Sequence, residues 1–147
     1  MTDQVAPLAA GPALIRVGTA IAELYERHSR AVGLTSAQAR LLFILAEKPA
    51  NMLGLTDAVK VRKSTMTSLV DRMQELGLLT RSPDPKDRRK LVVTITPEGA
   101  ERSKEFERGM RSSVTRLLAP LNEVESGALS RILSVILGES DRLLRSE

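Results

Sequence analysis

The chain has no cysteine and no tryptophan, and only one histidine, one tyrosine and two phenylalanines. Without cysteine there are no disulfides, no thiolate metal sites and no thiol redox sensing. A lone histidine, His28, cannot build a His-rich metal cluster, which leaves only a carboxylate site open; neither metal nor cofactor is expected. So few aromatic rings argue against the stacking platforms that hold single-stranded nucleic acid. No apolar run approaches the ~20 residues of a membrane span. The opening residues, MTDQVAPLAAGPA, lack the charged and apolar regions of a signal peptide, so the expected location is the cytoplasm. There is no paired nucleophile and base and no glycine-rich phosphate loop, so no enzyme is expected.

What is present is 147 residues, 42% hydrophobic and 27% charged, which suits a soluble globular chain with a core of its own. The net charge is only +4, but it is unevenly placed. Between Lys60 and Lys90 stand nine basic and four acidic residues, a surplus of five, so the rest of the chain sums to −1. A basic middle between balanced ends points to a local polyanion-binding surface.

Apolar residues recur at helical spacing over most of the chain. Leu14, Val17, Ile21, Leu24, His28 and Val32 make one stripe of a long first helix that stops at Gly33. Thr35 and Gln38 form a capping box for a second helix, ARLLFILAEK, which is apolar on nearly every side and therefore expected to be buried. A short helix over about 53–59 follows. After a turn comes a helix over about 62–76, with Met66, Leu69, Val70, Met73 and Leu76 on one face and Gly77 as its left-handed stop.

The period then changes to two. Leu91, Val93 and Ile95 alternate with Val92 and Thr94 as in a strand, and a partner strand around 79–82 would close a hairpin over PDPKDRR. Thr96-Pro97-Glu98 opens another helix, carrying Phe106 and Met110, and Asn122 to Glu125 caps a last one with Leu129, Ile132, Leu133, Ile136 and Leu137 in a stripe.

A short helix, a turn, an amphipathic helix and a charged hairpin add up to a winged helix-turn-helix, an α+β winged helix within a mainly α chain. The second helix of the pair would enter the major groove. With its apolar face inward, it offers Arg62, Lys63, Ser64, Thr67, Ser68 and Arg72 to DNA. Arginine and lysine can pair with guanine edges or phosphates, and hydroxyls with phosphates. Asp71 is expected to orient a neighbouring arginine. In the hairpin, Asp84 and Asp87 are expected to hold basic side chains by charge-assisted bonds. Lys86, Arg88, Arg89 and Lys90 would then be presented to a minor groove or its phosphates, with Arg88 at the tip and Arg89 and Asp87 bracing the loop.

The run LVDRMQELGLLTR followed by DPKDRRKLVVTITPEG resembles the MarR family of bacterial transcriptional regulators. Asp84, Asp87 and Arg89 match the family's wing pattern, while Lys86 stands where arginine is usual, Ile95 replaces leucine, and Thr56 stands where alanine is usual. The resemblance implies a homodimer with its first and last helices intertwined on a pseudo-palindromic duplex. It also implies repression relieved by a small aromatic or phenolic ligand. Tyr25 and His28 are candidates for that effector pocket, although a lone histidine on an apolar stripe is more often a boundary residue. The corresponding division is a flexible arm over 1–12, dimerisation helices over 13–34 and 98–147, and a DNA-binding region over 35–97. The competing reading is a winged-helix module that binds an acidic protein surface instead of DNA.

Overall fold

The computed structural model describes residues 9–144. Nine elements follow in order: α1 (Ala10–Ala31), α2 (Ser36–Glu47), β1 (Ala50–Asn51), α3 (Met52–Val59), α4 (Lys63–Glu75), β2 (Leu79–Pro83), β3 (Leu91–Ile95), α5 (Pro97–Leu118) and α6 (Glu123–Leu143). The expected N-terminal arm covers residues 1–12, of which the structure describes the last four. Ala10, Gly11 and Pro12 already form the first turn of α1, where proline's missing N–H has no intrahelical partner to lose. Ala9 is the N-cap of α1, and residues 1–8 lie outside the described residues. No described helix is long and apolar enough to cross a membrane.

Residues up to Met110 form one compact unit and those from Arg111 a second. The first holds the core. Thr35 Oγ1 accepts from the Gln38 amide at 3.3 Å, and Gln38 Oε1 accepts from the Thr35 amide at 2.9 Å, which starts α2. Leu41, Leu42 and Leu45 are buried, but Phe43 is 45% exposed, so burial of α2 on nearly every side does not hold. α2 packs against α1, α3, α4 and β3, and those neighbours leave the Phe43 side open.

The Asn51 Oδ1 accepts from the Gly54 amide at 2.8 Å and caps α3, whose Leu55 and Val59 are buried. A turn through Lys60, held at φ +56°, leads into α4. Met66, Val70 and Met73 on α4 have no exposed surface. Burying a side chain of that size contributes about 1.5–3 kcal/mol. Leu76, expected on the same face, is 38% exposed. It is the C-cap residue, past the last full turn. Gly77 at φ +71° closes the helix, its amide donating to Gln74 O at 2.9 Å and that of Leu78 to Met73 O at 3.0 Å. This pair of bonds folds Leu78 back into the core.

β2 and β3 pair antiparallel, with Leu79 opposite Ile95, Arg81 opposite Val93 and Pro83 opposite Leu91. A third strand joins them, giving the order β1-β3-β2 with Ala50 opposite Val93 and Asn51 opposite Val92. The sequence reading did not anticipate it, because two residues are too few to show a period. The Thr96 hydroxyl accepts from the Gly99 amide at 3.1 Å and donates to Gly77 O at 2.7 Å, so the start of α5 is fastened to the end of α4. A Cβ on Gly99 would lie 2.1 Å from Leu78 O, so only glycine allows that approach.

In the second unit, Asn122 Oδ1 accepts from the Glu125 amide at 2.9 Å and Glu125 Oε2 from the Asn122 amide at 3.0 Å, as the capping pattern led us to expect. The stripe of α6 is in place, yet no residue of this helix is buried. Ile132 is 56% and Leu137 63% exposed.

Candidate nucleic-acid interface

The burial of Met66, Val70 and Met73 fixes the rotation of α4. Arg62, Lys63, Ser64, Thr67, Ser68 and Arg72 are consequently all exposed. Arg62 is the N-cap residue and makes no side-chain cap, and the first turn carries no acidic group. The open amides and the helix dipole therefore reinforce the two cations there. The hydroxyl of Thr67 donates to Lys63 O at 3.0 Å and that of Ser68 to Ser64 O at 3.2 Å. Both keep lone pairs outward, and a rotamer change is required before either donates to a phosphate.

The far half of α4 is electrically occupied. Arg72 pairs with Glu75 at 3.0 Å, and Asp71 accepts from Arg81 of β2. Arg81 also lies 3.5 Å from Thr67 O. It is absent from the residues singled out in the sequence. The alternation that puts Leu79 inward puts Arg81 on the same side of the strand, and that signal would have found it.

The hairpin turn is organised by its two aspartates, chiefly through the main chain, and Asp87 also holds a basic side chain, that of Lys90. Asp84 Oδ1 accepts from the Lys86 amide at 2.8 Å, and Asp87 Oδ1 from the Arg89 amide at 3.2 Å. Each carboxylate thus closes a short turn on the main chain instead of holding a guanidinium. A nearby amide is a partner that costs little entropy to order, whereas a long side chain costs more. The amide of Asp84 donates to Lys90 O at 2.8 Å and that of Lys90 to Asp87 O at 2.8 Å. Among the expected wing cations, Lys90 alone has an ion pair, to Asp87 at 3.7 Å. Arg89 enters the bracing through its amide only. Lys86, Arg88 and Arg89 are exposed and have no carboxylate partner among the described residues.

Tyr25 and His28 lie elsewhere, on α1. The Tyr25 ring is half-buried edge-on against Phe106, with centroids 4.7 Å apart, and the Arg40 guanidinium lies 6.0 Å above it. Burial pushes the Tyr25 phenol above its ordinary 10.0, partly offset by Arg40. His28 packs on Gly109 so closely that a Cβ there would lie 2.5 Å from Nδ1.

Two helices joined by a tight turn, a cationic outward face and a charged hairpin beside it define a winged helix-turn-helix. Residues 32–90 match the MarR family model. The transcriptional repressor IacR of Pseudomonas putida is 29% identical over 131 residues, covering 88% of this chain and 78% of that protein. The chain spans 61% and 59% of two other curated regulators. The apo crystal structure of MarR from E. coli superposes with a TM-score of 0.76 at 21% identity, covering 89% of this chain and 98% of that one, a likeness of fold. The BpsR structure of Bordetella bronchiseptica, a protein whose DNA binding is regulated by 6-hydroxynicotinic acid, matches with a TM-score of 0.69 at 25% identity over 87% of this chain and 92% of that one. Over residues 32–90 the chain is similar to the MarR family, and its relatives are regulators of transcription and not enzymes, which supports a DNA-binding regulator of transcription as its class.

Proposed function

We propose that the protein is a homodimeric repressor that grips a pseudo-palindromic duplex and lets go when a small aromatic acid or phenol binds. The observation that carries this reading is the set of exposed cations without carboxylate partners among the described residues: Arg62 and Lys63 at the start of α4, and Lys86, Arg88 and Arg89 on the wing. The α4 pair would meet base edges and phosphates in the major groove, with Ser64, Thr67 and Ser68 against the backbone. Arg88 would reach the neighbouring minor groove from a turn stiffened by Asp84 and Asp87. Arg72 and Lys90, each already paired, would contribute less. Residues 35–97 then serve as the DNA-reading region, and the long helices on either side as the pairing region.

The open stripe of α6 supports the dimer, since an apolar face of that length calls for a partner. So do Leu14, Ile15 and Val17 of α1, all exposed. Tyr25 and His28, on α1 against Phe106 and Gly109, are the proposed effector contacts. IacR, a repressor, supports the sense of regulation, and BpsR supports the class of effector.

The test is a gel-shift titration of duplexes selected by the purified protein, repeated over a range of salt. Binding by five or more cations makes the affinity fall steeply with salt, by about 0.9 in logarithmic slope for each phosphate engaged. A flat response refutes the reading. Release of the bound duplex by an aromatic acid, read in the same gel, tests the effector.

A further inference from the structure

Arg81 has a part in this site that charge alone does not reveal. Three facts meet at its guanidinium. Nη2 donates to Asp71 Oδ1 on the outward side of α4, and lies 3.5 Å from the Thr67 carbonyl one turn earlier. Nε is buried with no hydrogen-bond partner. The side chain is only 23% exposed, while that of Asp71 is 52% exposed.

An arginine recruited for DNA would extend into solvent. This one lies folded against the helix, with one nitrogen left unsatisfied. Leaving a buried donor unpaired is unfavourable, so the guanidinium is placed by the Asp71 and Thr67 contacts at the expense of its own solvation. Its Cα is fixed in turn by the ladder, opposite Val93 of β3. The bond therefore joins the middle of the hairpin to the middle of the recognition helix.

We propose that Arg81 is a positioning residue that locks the angle between α4 and the wing, so that Lys63 and Arg88 reach the same duplex together. The proposal rests on the DNA-binding reading above. Arg81 touches no nucleic acid. Asp71, an acidic group on a DNA-facing helix, holds Arg81 in place, and that role makes its charge useful where phosphate would otherwise disfavour it.

Electrostatics and positioning make opposite forecasts for Asp71→Asn. Removing a negative charge beside phosphate tightens binding if Asp71 only repels DNA. Losing the grip on Arg81 weakens it. We expect about tenfold weaker binding for Asp71→Asn and for Arg81→Met, the scale of one lost arginine contact. The dependence of affinity on salt should keep the slope of the unsubstituted protein, because no phosphate contact is removed. Arg88→Ala is the control: it should lower that slope by about 0.9. Tighter binding by Asp71→Asn, or a lowered slope for Arg81→Met, overturns the proposal.

Amide hydrogen exchange on the DNA-free protein separates this outcome from failure of the functional reading. Faster exchange in residues 79–95 of both variants, with unchanged far-UV circular dichroism, supports the lock even if no duplex binds. Unchanged exchange in Asp71→Asn, the nearly isosteric variant, overturns it.

Discussion

Helices α4 and α6 carry apolar stripes of the same period and meet opposite fates. Met66, Val70 and Met73 of α4 are sealed from solvent, whereas α6 buries none of its residues. The capping of the two is also reversed. Asn122 and Glu125 close the start of α6 with two hydrogen bonds, while Arg62 leaves the start of α4 without a side-chain cap. Period and composition therefore tell which side of a helix is apolar, but not what covers it. The uncapped start of α4, flanked by cations, suits an anion, and the open stripe of α6 suits an apolar surface.

The comparison can be broken by matched substitutions, beginning with the core. Met73→Ala should lower the free energy of unfolding by about 2–5 kcal/mol, read in urea, whatever the protein concentration. Leu133→Asp on α6 should cost about 2–4 kcal/mol of association free energy. Sedimentation would then show monomer, and the urea midpoint of the unsubstituted protein, unlike that of the variant, would rise with concentration. A midpoint independent of concentration in both would show that α6 is not an interface.

Glycine to alanine sharpens the contrast further, because the sign changes. Gly109→Ala drives a methyl into His28 and should destabilise by about 1–3 kcal/mol. Gly127→Ala, on the side of α6 opposite its stripe and with nothing within 4 Å, should stabilise by about 0.4–1 kcal/mol. Thermal unfolding distinguishes the two.

The smallest effect concerns Tyr25. Its phenol titrates above the ordinary 10.0 in the fold, so the neutral form is the one the fold favours. The associated stability is complete below pH 10 and is lost as pH rises through the folded value. Tyr25→Phe should remove that alkaline loss while leaving stability at neutral pH little changed.

Features carried by neighbouring residues were legible in the sequence. The Thr35 and Gln38 box, the Asn122 and Glu125 box, the Gly77 stop and the Thr96 cap each depend on a few consecutive side chains, and each is present. The hairpin was legible because five residues alternate in β3. What escaped involves distance or competition. The two rungs of β1 exist only because β3 offers an edge. That Asp71 holds an arginine was legible, but its partner Arg81 is ten residues away, and finding it requires the strand's inner side to be followed. The aspartates of the turn had two kinds of donor to choose from, and proximity favoured the main chain over the arginines. The exposure of Phe43 depends on how many neighbours α2 acquires, which its own residues do not specify.

Asn51 does two jobs at once. Its backbone is a rung of the sheet opposite Val92, and its side-chain oxygen holds the Gly54 amide at the head of α3. Hairpin and leading helix thus turn on a common pivot one residue wide. A swing of the hairpin that opens the rung would therefore pull on the same residue that caps the first turn of α3.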